Sequence, residues 1–374
     1  MIRRPPRSTL FPYTPLFRSP RIHAETAIKQ NRGVISILAN MVEPHLGLLG
    51  NSERQRLIKA MAAAKQAVEK HQTWLESDLL PSASGDFRLG KKRFDEKLAF
   101  TLQTPLSRQQ IRERAESELR RVRADMYQMA AGVYKKKHGY TQFPENPSSE
   151  YQQAIIRAAL EMAYQETPAA DQVVEAARKS LALTTSFVRE KDLITIPADP
   201  LEIIVMPEFQ RGVTVAYLDP PGPLDQGQAA FYAVAPLPQD WTDAQVTSFL
   251  REYNMLSIQD LTIHEGVPGH YLQLSLSNRY PSTLRSVLWS GTFVEGWAVY
   301  AERVMVDEGY LDYDPLLRLI NLKWYLRAVT NAIIDSAIHV DGMTHDEAMK
   351  LMIEGGFQEE REAEIGRASC RERV

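Results

Sequence analysis

Two histidines and a glutamate lie among apolar residues in one short segment, and any fold of this chain must give these polar groups partners. His264, Glu265 and His270 fall within seven residues, and leucines and isoleucines flank them on both sides. Burying such polar groups without partners is costly. Neutral imidazoles beside a carboxylate are the groups that a zinc site with a general base requires. We therefore expect His264 and His270 to be metal ligands and Glu265 to be the general base.

The spacing of the two histidines predicts a distorted helix. In the common H-E-x-x-H zinc motif the histidines are four residues apart and share one helix face. Here they are six apart, which on an ideal helix places the rings about 120° from each other. Pro268 removes a helix hydrogen bond and Gly269 tolerates an unusual backbone, so a break there can swing His270 back towards His264. The alternative is that Pro-Gly ends one helix and His270 opens the next without a metal.

A second predicted helix supplies two carboxylates. Glu295 and Glu302 are seven residues apart on an otherwise apolar segment, so they share a helix face. Carboxylates in such surroundings need a cation or a hydrogen-bond donor. We expect Glu295 to be the third ligand of one zinc ion, with water in the fourth position. Glu302 is expected to support a ligand without binding the metal, the alternative being an exposed carboxylate near Arg303.

A third helix, from residue 313 to about residue 339, carries a polar stripe. Arg327, Asn331, Asp335 and His339 follow one another at intervals of four. Such a stripe is either a solvated face or the lining of a site. In the second case Asp335 and His339 pair, and His339 stabilises the oxyanion of the transition state.

Four short runs of β-branched and aromatic residues, bounded by Pro and Gly, predict a small antiparallel sheet beside the helices. They are residues 192–197, 202–207, 213–218 and 229–235. The last run precedes the histidine segment, so we expect it to form a sheet edge that receives an extended substrate. Ala230, Phe231 and Tyr232 would then bind the substrate. The alternative is a strand that only packs the core.

The first half of the chain predicts helices only. Ser107 and Gln110 form a capping box of the S-x-x-Q kind at the start of a long helix. Other helical patterns cover about residues 51–80, 148–166 and 168–188. The predicted fold class is mostly α with a small antiparallel sheet (α+β). A helical region spans 20–190, and the sheet with the catalytic helices spans 191–363.

The two ends of the chain do not read as natural protein. Residues 1–19 and 364–374 are similar to translations of opposite strands of one sequencing adapter, so we expect both to be non-native. The alternative for the head is an Arg-rich transit peptide. These ends carry seven Arg against two Glu, so the remaining chain is more acidic than the overall net charge of −3. The only cysteine, Cys370, lies in the tail, which leaves no disulfide and no cysteine zinc site elsewhere.

This composition excludes several classes of partner. An acidic chain without a basic patch argues against nucleic-acid binding. No apolar run approaches the roughly 18 residues of a membrane span. Both a cytoplasmic and an exported location are compatible with these features.

Three motifs together resemble domain of unknown function family 885, a bacterial family placed among the zincin-like metallopeptidases. They are H-E-G-V-P-G-H-Y-L-Q at 264–273, F-V-E-G-W-A-V-Y-A-E at 293–302 and D-S-A-I-H at 335–339. The segment W-L-E-S-D-L-L-P-S-A-S-G-D-F-R-L-G at 74–90 extends the resemblance over most of 21–363. It implies a helical, gluzincin-like fold in which His264, His270 and Glu295 match the metal ligands and Glu265 the general base. Members of this family are longer at both ends, and a region after the third motif has no counterpart here.

The function expected from these residues is zinc-dependent hydrolysis of a peptide bond, with a peptide or small amide as substrate. Hydrolysis of a non-peptide amide or ester at the same metal is the enzymatic alternative. The non-enzymatic alternative is a helical binding protein with a degenerate site.

Overall fold

A computed structural model describes residues 19–139, 142–211, 214–225 and 227–364. Nearly all of the two ends predicted to be adapter-derived lies outside this range. The described residues divide into two compact units. The first contains residues 19–88 and 207–211, and the second contains the remainder.

The first unit is built from a pair of helices and the turns that follow them. Its helices are α1 (Arg21–Ile37), α2 (Asn51–Trp74) and the short α3 (Leu80–Ser82). Asn31 of α1 donates its amide to Gln72 of α2 at 2.8 Å. The helix α1 runs through Gly33 without a break. A Cβ at Gly33 would lie 2.7 Å from the backbone nitrogen of Phe209, so glycine here permits a close approach of the 208–210 turn.

The second unit is mainly helical and carries one small sheet. Its elements are α4 (Gly90–Leu102), α5 (Arg108–His138), α6 (Ser149–Ala163), α7 (Val173–Glu190), β1 (Leu201–Val205), β2 (Ala216–Asp219), β3 (Ala230–Val234), α8 (Asp243–Glu252), α9 (Met255–Glu265), α10 (His270–Asn278), α11 (Thr283–Val287), α12 (Gly291–Asp307), α13 (Pro315–Ser336) and α14 (His345–Lys350). The predicted fold class, mostly α with a small sheet, is confirmed. None of the described helices is long and apolar enough to cross a membrane.

The long helix α5 begins where the sequence predicts. Ser107 accepts a hydrogen bond from the Gln110 backbone, and the Gln110 side chain accepts one from the Ser107 backbone. This reciprocal pair satisfies two backbone donors that a helix start leaves free. One face of α5 then packs on α6 and α13 through fully buried side chains such as Met126, Leu160 and Leu326. This bundle forms an apolar core of the unit and fixes α13.

The sheet has the strand order β1-β3-β2 and is mixed. β2 and β3 are antiparallel, with Leu218 opposite Tyr232, whereas β1 and β3 are parallel, with Leu201 opposite Ala230. The sequence predicts the antiparallel pair but not the parallel one. The parallel pair arises because the chain crosses from β1 to the far side of the sheet before β3 returns between the two.

This strand order overturns the expectation that residues 229–235 form a sheet edge. β3 is the central strand, so its backbone hydrogen-bonds to β1 on one side and to β2 on the other. Ala230 and Tyr232 are buried. The prediction that Ala230, Phe231 and Tyr232 receive a substrate along a free edge is therefore wrong, because their main-chain groups are already paired.

The first of the four predicted strands, residues 192–197, is not a strand. Leu193, Ile194 and Ile196 instead pack their side chains against the core that includes Ile263 and Val306. β-branched residues favour strands mainly because they fit a half-buried surface, and here an irregular segment supplies that fit.

A fully buried ion pair ties α8 to α13. The ammonium of Lys323 lies 2.8 Å from Glu252 Oε2 and 2.9 Å from the Tyr164 hydroxyl. Lys323 and Glu252 are each at most 2% exposed. Burial opposes the charge, but Glu252 and Tyr164 outweigh it and raise the pKa of Lys323 above its ordinary value. Lys323 therefore keeps its positive charge inside the helical core.

Replacing Lys323 by Met is expected to lower the free energy of unfolding by about 3–5 kcal/mol, because the buried carboxyl group of Glu252 then lacks its cationic partner. Urea denaturation measures this difference. The matched control is Arg303→Met, which breaks an exposed pair with Asp307 and should cost less than about 1 kcal/mol. Equal losses in the two variants would contradict the assignment.

Candidate metal centre

The helix that carries His264 stops one residue later, and a new helix starts at His270. α9 ends at Glu265 and α10 begins at His270, so the break that the sequence predicts around Pro268 and Gly269 is present. The Val267–Pro268 peptide bond is cis. A Cβ at Gly269 would lie 2.0 Å from the carbonyl oxygen of His264. Only glycine therefore lets the chain fold back against the end of α9.

The fold-back brings the two imidazoles together. The ring centroids of His264 and His270 are 4.5 Å apart, and the rings are nearly perpendicular at 84°. Glu295, in the second turn of α12, reaches both of them. Its Oε2 lies 3.6 Å from His264 Nε2 and 3.7 Å from His270 Nε2. The structure thus places all three predicted ligands in one cluster, with a ligand atom from each within 4.8 Å of the others.

This donor set fits a zinc ion. Two imidazoles and one carboxylate form a known combination at catalytic zinc. Zinc bonds of 2.0–2.2 Å in a tetrahedron place neighbouring ligand atoms roughly 3.3–3.6 Å apart, close to the two distances from Glu295. Burial, with the neighbouring His264 as a second cause, lowers the pKa of His270 to about 4. A neutral imidazole is the form that binds a metal.

Glu302 supports the first histidine from behind. It lies two turns along α12 from Glu295, is buried, and places Oε1 2.5 Å from His264 Nδ1. A carboxylate that accepts the Nδ1 proton leaves Nε2 free to bind a metal and fixes the orientation of the ring. The structure therefore places Glu302 where the sequence predicts, and the exposed-carboxylate alternative does not hold.

Two further polar residues extend this contact. Asn321 on α13 donates its amide nitrogen to Asp260 Oδ1 at 3.1 Å and to Glu302 Oε2 at 3.4 Å. Burial, reinforced by the charge of Glu302, raises the pKa of Asp260 well above its ordinary value. Sequence reasoning missed both residues. The position of Asp260, four residues before His264, is a signal for a shared helix face, whereas nothing in the sequence points to Asn321.

Glu265, the predicted general base, is the last residue of α9 and is buried. Burial is the main cause that raises its pKa, to about 7, with the charge of His264 acting in the opposite direction. A hydrogen bond from the backbone of Leu218 in β2 also favours the ionised form. The carboxyl group is thus attached to the sheet on one side and follows directly after a metal-ligand candidate.

The structure places His339 and Asp335 in a different setting. His339 is 2% exposed and follows α13 in a turn over Ala337–Asp341. The backbone N–H of Leu89 donates to His339 Nδ1 at 3.4 Å, and the ring stacks on Phe94. Asp335 Oδ1 lies 4.0 Å from His339 Nε2. None of the metal-ligand candidates is among these contacts, so the roles predicted for His339 and Asp335 stay predictions.

The fold and this cluster together define a helical protein with a small mixed sheet and a candidate metal centre. The chain belongs to the family described as "Bacterial protein of unknown function (DUF885)", whose family model matches residues 15–368. Among curated proteins, no sequence matches it.

Two solved structures are similar to this chain. One is described as a "putative lipoprotein of unknown function" from Shewanella oneidensis, with 32% identity and a TM-score of 0.68 over 95% of this chain and 64% of that one. The other is a "putative lipoprotein" from Colwellia psychrerythraea, with 19% identity and a TM-score of 0.69 over 94% of this chain and 62% of that one. The second similarity concerns the fold alone. The chain spans less than two thirds of the length of either.

Substituting Gly269 by Ala is expected to destabilise the protein by about 1–3 kcal/mol, the range for forcing extra atoms into a packed site. The added Cβ meets the backbone carbonyls of Ile263 and His264. The control is Gly296→Ala on α12. A Cβ at this position has no neighbour within 4 Å, so the substitution should stabilise the helix by up to about 1 kcal/mol. Chemical denaturation of both variants measures the difference, and an unchanged Gly269→Ala protein would contradict the close approach.

Proposed function

We propose that this protein is a zinc-dependent hydrolase that cleaves peptide bonds. The observation that supports it is the convergence of His264, His270 and Glu295 beside the buried carboxyl group of Glu265. Three metal ligands and an adjacent carboxylate that is not a ligand are the components of a metal-assisted hydrolytic site.

Separate residues would bind the metal, transfer the proton and position these groups. The metal would be held by Nε2 of both histidines and by Glu295 Oε2, and when bound it supplies an acidified water and polarises the substrate carbonyl. Glu265 takes a proton from the attacking water on a carboxylate oxygen. It then passes this proton to the nitrogen of the leaving amine. Glu302 keeps Nε2 of His264 directed at the ligand cluster, and the Leu218 backbone holds Glu265 in place.

The geometry of the sheet supports a peptide as the substrate. Among the described residues β2 pairs with a strand on one side only, and its Leu218 backbone contacts Glu265. The outer edge of β1 is partly covered, because Arg178 donates to the carbonyl of Ile203 at 3.1 Å. β2 is therefore the edge near the general base that can add an extended peptide as a further strand. A non-peptide amide or ester has no comparable use for this edge.

The similarity to the structure from Shewanella oneidensis bears on location. That protein, 32% identical to this chain, is described as a "putative lipoprotein", and lipoproteins are exported from the cytoplasm. Of the two locations compatible with the sequence, we therefore favour export.

The first test concerns the metal itself. After dialysis against zinc and then against metal-free buffer, the parent protein should retain about one zinc per chain by elemental analysis. His264→Ala should lose it, because the cluster then has only two ligands. His345→Ala is the matched control, since that histidine is exposed and contacts Asp346. A parent protein without bound zinc would refute the proposal.

The second test concerns the general base. Glu265→Gln should bind zinc as the parent does, yet lose at least 100-fold in kcat, in line with the roughly 10²–10⁴-fold contribution of general acid–base catalysis. Peptide libraries, simple amides and esters serve as substrates, and peptides should be cleaved fastest. Glu308→Gln, an exposed carboxylate at the end of α12, is the control and should leave turnover unchanged. Full activity in Glu265→Gln would remove Glu265 from the mechanism.

A further inference from the structure

Three helices that pack against one another each contribute one buried polar side chain to a single contact chain. Asp260 comes from α9, Glu302 from α12 and Asn321 from α13. Their exposures are 1%, 5% and 8%. The amide nitrogen of Asn321 lies between the two carboxyl groups, 3.1 Å from Asp260 Oδ1 and 3.4 Å from Glu302 Oε2.

The chemistry of this position favours an amide. Two carboxyl groups buried near each other need hydrogen-bond donors, since an unpaired buried charge or acceptor is costly. A side-chain amide nitrogen carries two N–H donors and no charge. It can therefore serve both carboxyl groups at once. An ionised Asp offers no donor, Leu offers none, and Ser offers one.

The hydrogen bonds from Asp260 through Asn321 and Glu302 lead to His264, a metal-ligand candidate. Glu302 uses Oε2 for Asn321 and Oε1 for His264 Nδ1, at 2.5 Å. Both oxygens of the carboxylate thus have a directed partner, and its plane is fixed. Asp260 and His264 are four residues apart on α9, so they share a helix face. The path from Asp260 through α13 and α12 returns to α9 one turn further on.

We propose that Asn321 is a positioning residue of the metal centre. It sets the orientation of Glu302, which sets the orientation of the His264 ring and keeps Nε2 directed at Glu295. The side-chain hydrogen bonds of Asn321 go to Asp260 and Glu302, neither of which is a ligand candidate. This inference rests on the proposed function in one respect, namely that the cluster of His264, His270 and Glu295 binds a metal.

The test measures metal affinity, with zinc alone as the probe, by competition with a chromophoric chelator. Asn321→Leu should weaken zinc binding by about 10-fold, the lower end of the roughly 10–100-fold loss that follows removal of a direct hydrogen-bond partner of a metal ligand, because Asn321 acts one step further away, through Glu302. Ser336→Ala is the matched control. It removes a buried polar group from the same helix, but this hydroxyl donates only to the carbonyl of Ile333, so zinc affinity should stay at the parent value.

A coupling experiment separates positioning from general destabilisation. Glu302→Gln, Asn321→Leu and the double variant form a cycle, and residues that act through each other give non-additive effects. If Asn321 acts through Glu302, adding Asn321→Leu to Glu302→Gln should weaken zinc binding less than twofold further. The visible absorption spectrum of bound Co²⁺ should also change in Asn321→Leu, because the ring of one ligand is reoriented. It should not change in Ser336→Ala.

The possible outcomes are distinguishable. A parent protein that binds no zinc overturns the proposed function. A parent that binds zinc, together with a folded Asn321→Leu variant of equal affinity or with additive effects in the cycle, overturns the role of Asn321 alone. Circular dichroism establishes folding. Should Asn321→Leu not fold, Asn321→Ser takes its place and should lie between the parent and a full loss, since its hydroxyl serves only one of the two carboxyl groups.

Discussion

The arrangement of the candidate centre depends on the close approach of Gly269 to the end of α9. No side chain separates this residue from the carbonyl oxygen of His264, so the chain reverses within four residues. The reversal places the first residue of α10 against the last turn of α9. Two imidazoles that a continuous helix would direct apart then face one another at a centroid distance of 4.5 Å. Because of this reversal, both imidazoles lie within reach of Glu295. Glu302 and Glu265 then lie beside the same cluster.

Around this reversal the protein buries three carboxyl groups close to the ligand candidates. Asp260, Glu265 and Glu302 are all buried, and burial raises the pKa of each above its ordinary value. Repulsion among these carboxyl groups disfavours the ionised forms. A divalent cation at the neighbouring ligand cluster would offset that repulsion, as bound metals commonly do for buried acidic groups. The electrostatic cost of the cluster and its proposed metal binding are thus two aspects of the same arrangement.

Local patterns in the sequence predicted much of this, while long-range pairing did not follow from them. The capping box at Ser107, the break at Gly269 and the shared face of Glu295 and Glu302 each depend on neighbours within one or two helical turns, and each is found. The sheet was predicted as a set of runs, but strand order depends on contacts far apart in sequence, so the central place of β3 was missed.

Three other features of the structure depend on partners that lie far away in the chain. Asn321 reads as an ordinary helix residue until α9 and α12 pack beside it. Gly33 is tolerated inside α1 because the backbone of Phe209, much later in the chain, approaches it too closely for a side chain. The run at 192–197 has the composition of a strand, yet its apolar side chains pack on a core rather than a sheet. In each case tertiary packing decides what local composition leaves open.

The contact between Leu218 and Glu265 would affect how a peptide substrate is aligned with the site. The strand proposed to receive an extended peptide, β2, also donates the backbone hydrogen bond that holds the proposed general base. A peptide added along β2 would therefore be aligned by the same piece of backbone that fixes the reactive carboxyl group. Since successive residues of a strand point to opposite faces, a shift of one residue along β2 would present the other set of side chains. The pairing register on β2 would in this way determine which residue of the peptide lies beside the proposed general base, Glu265.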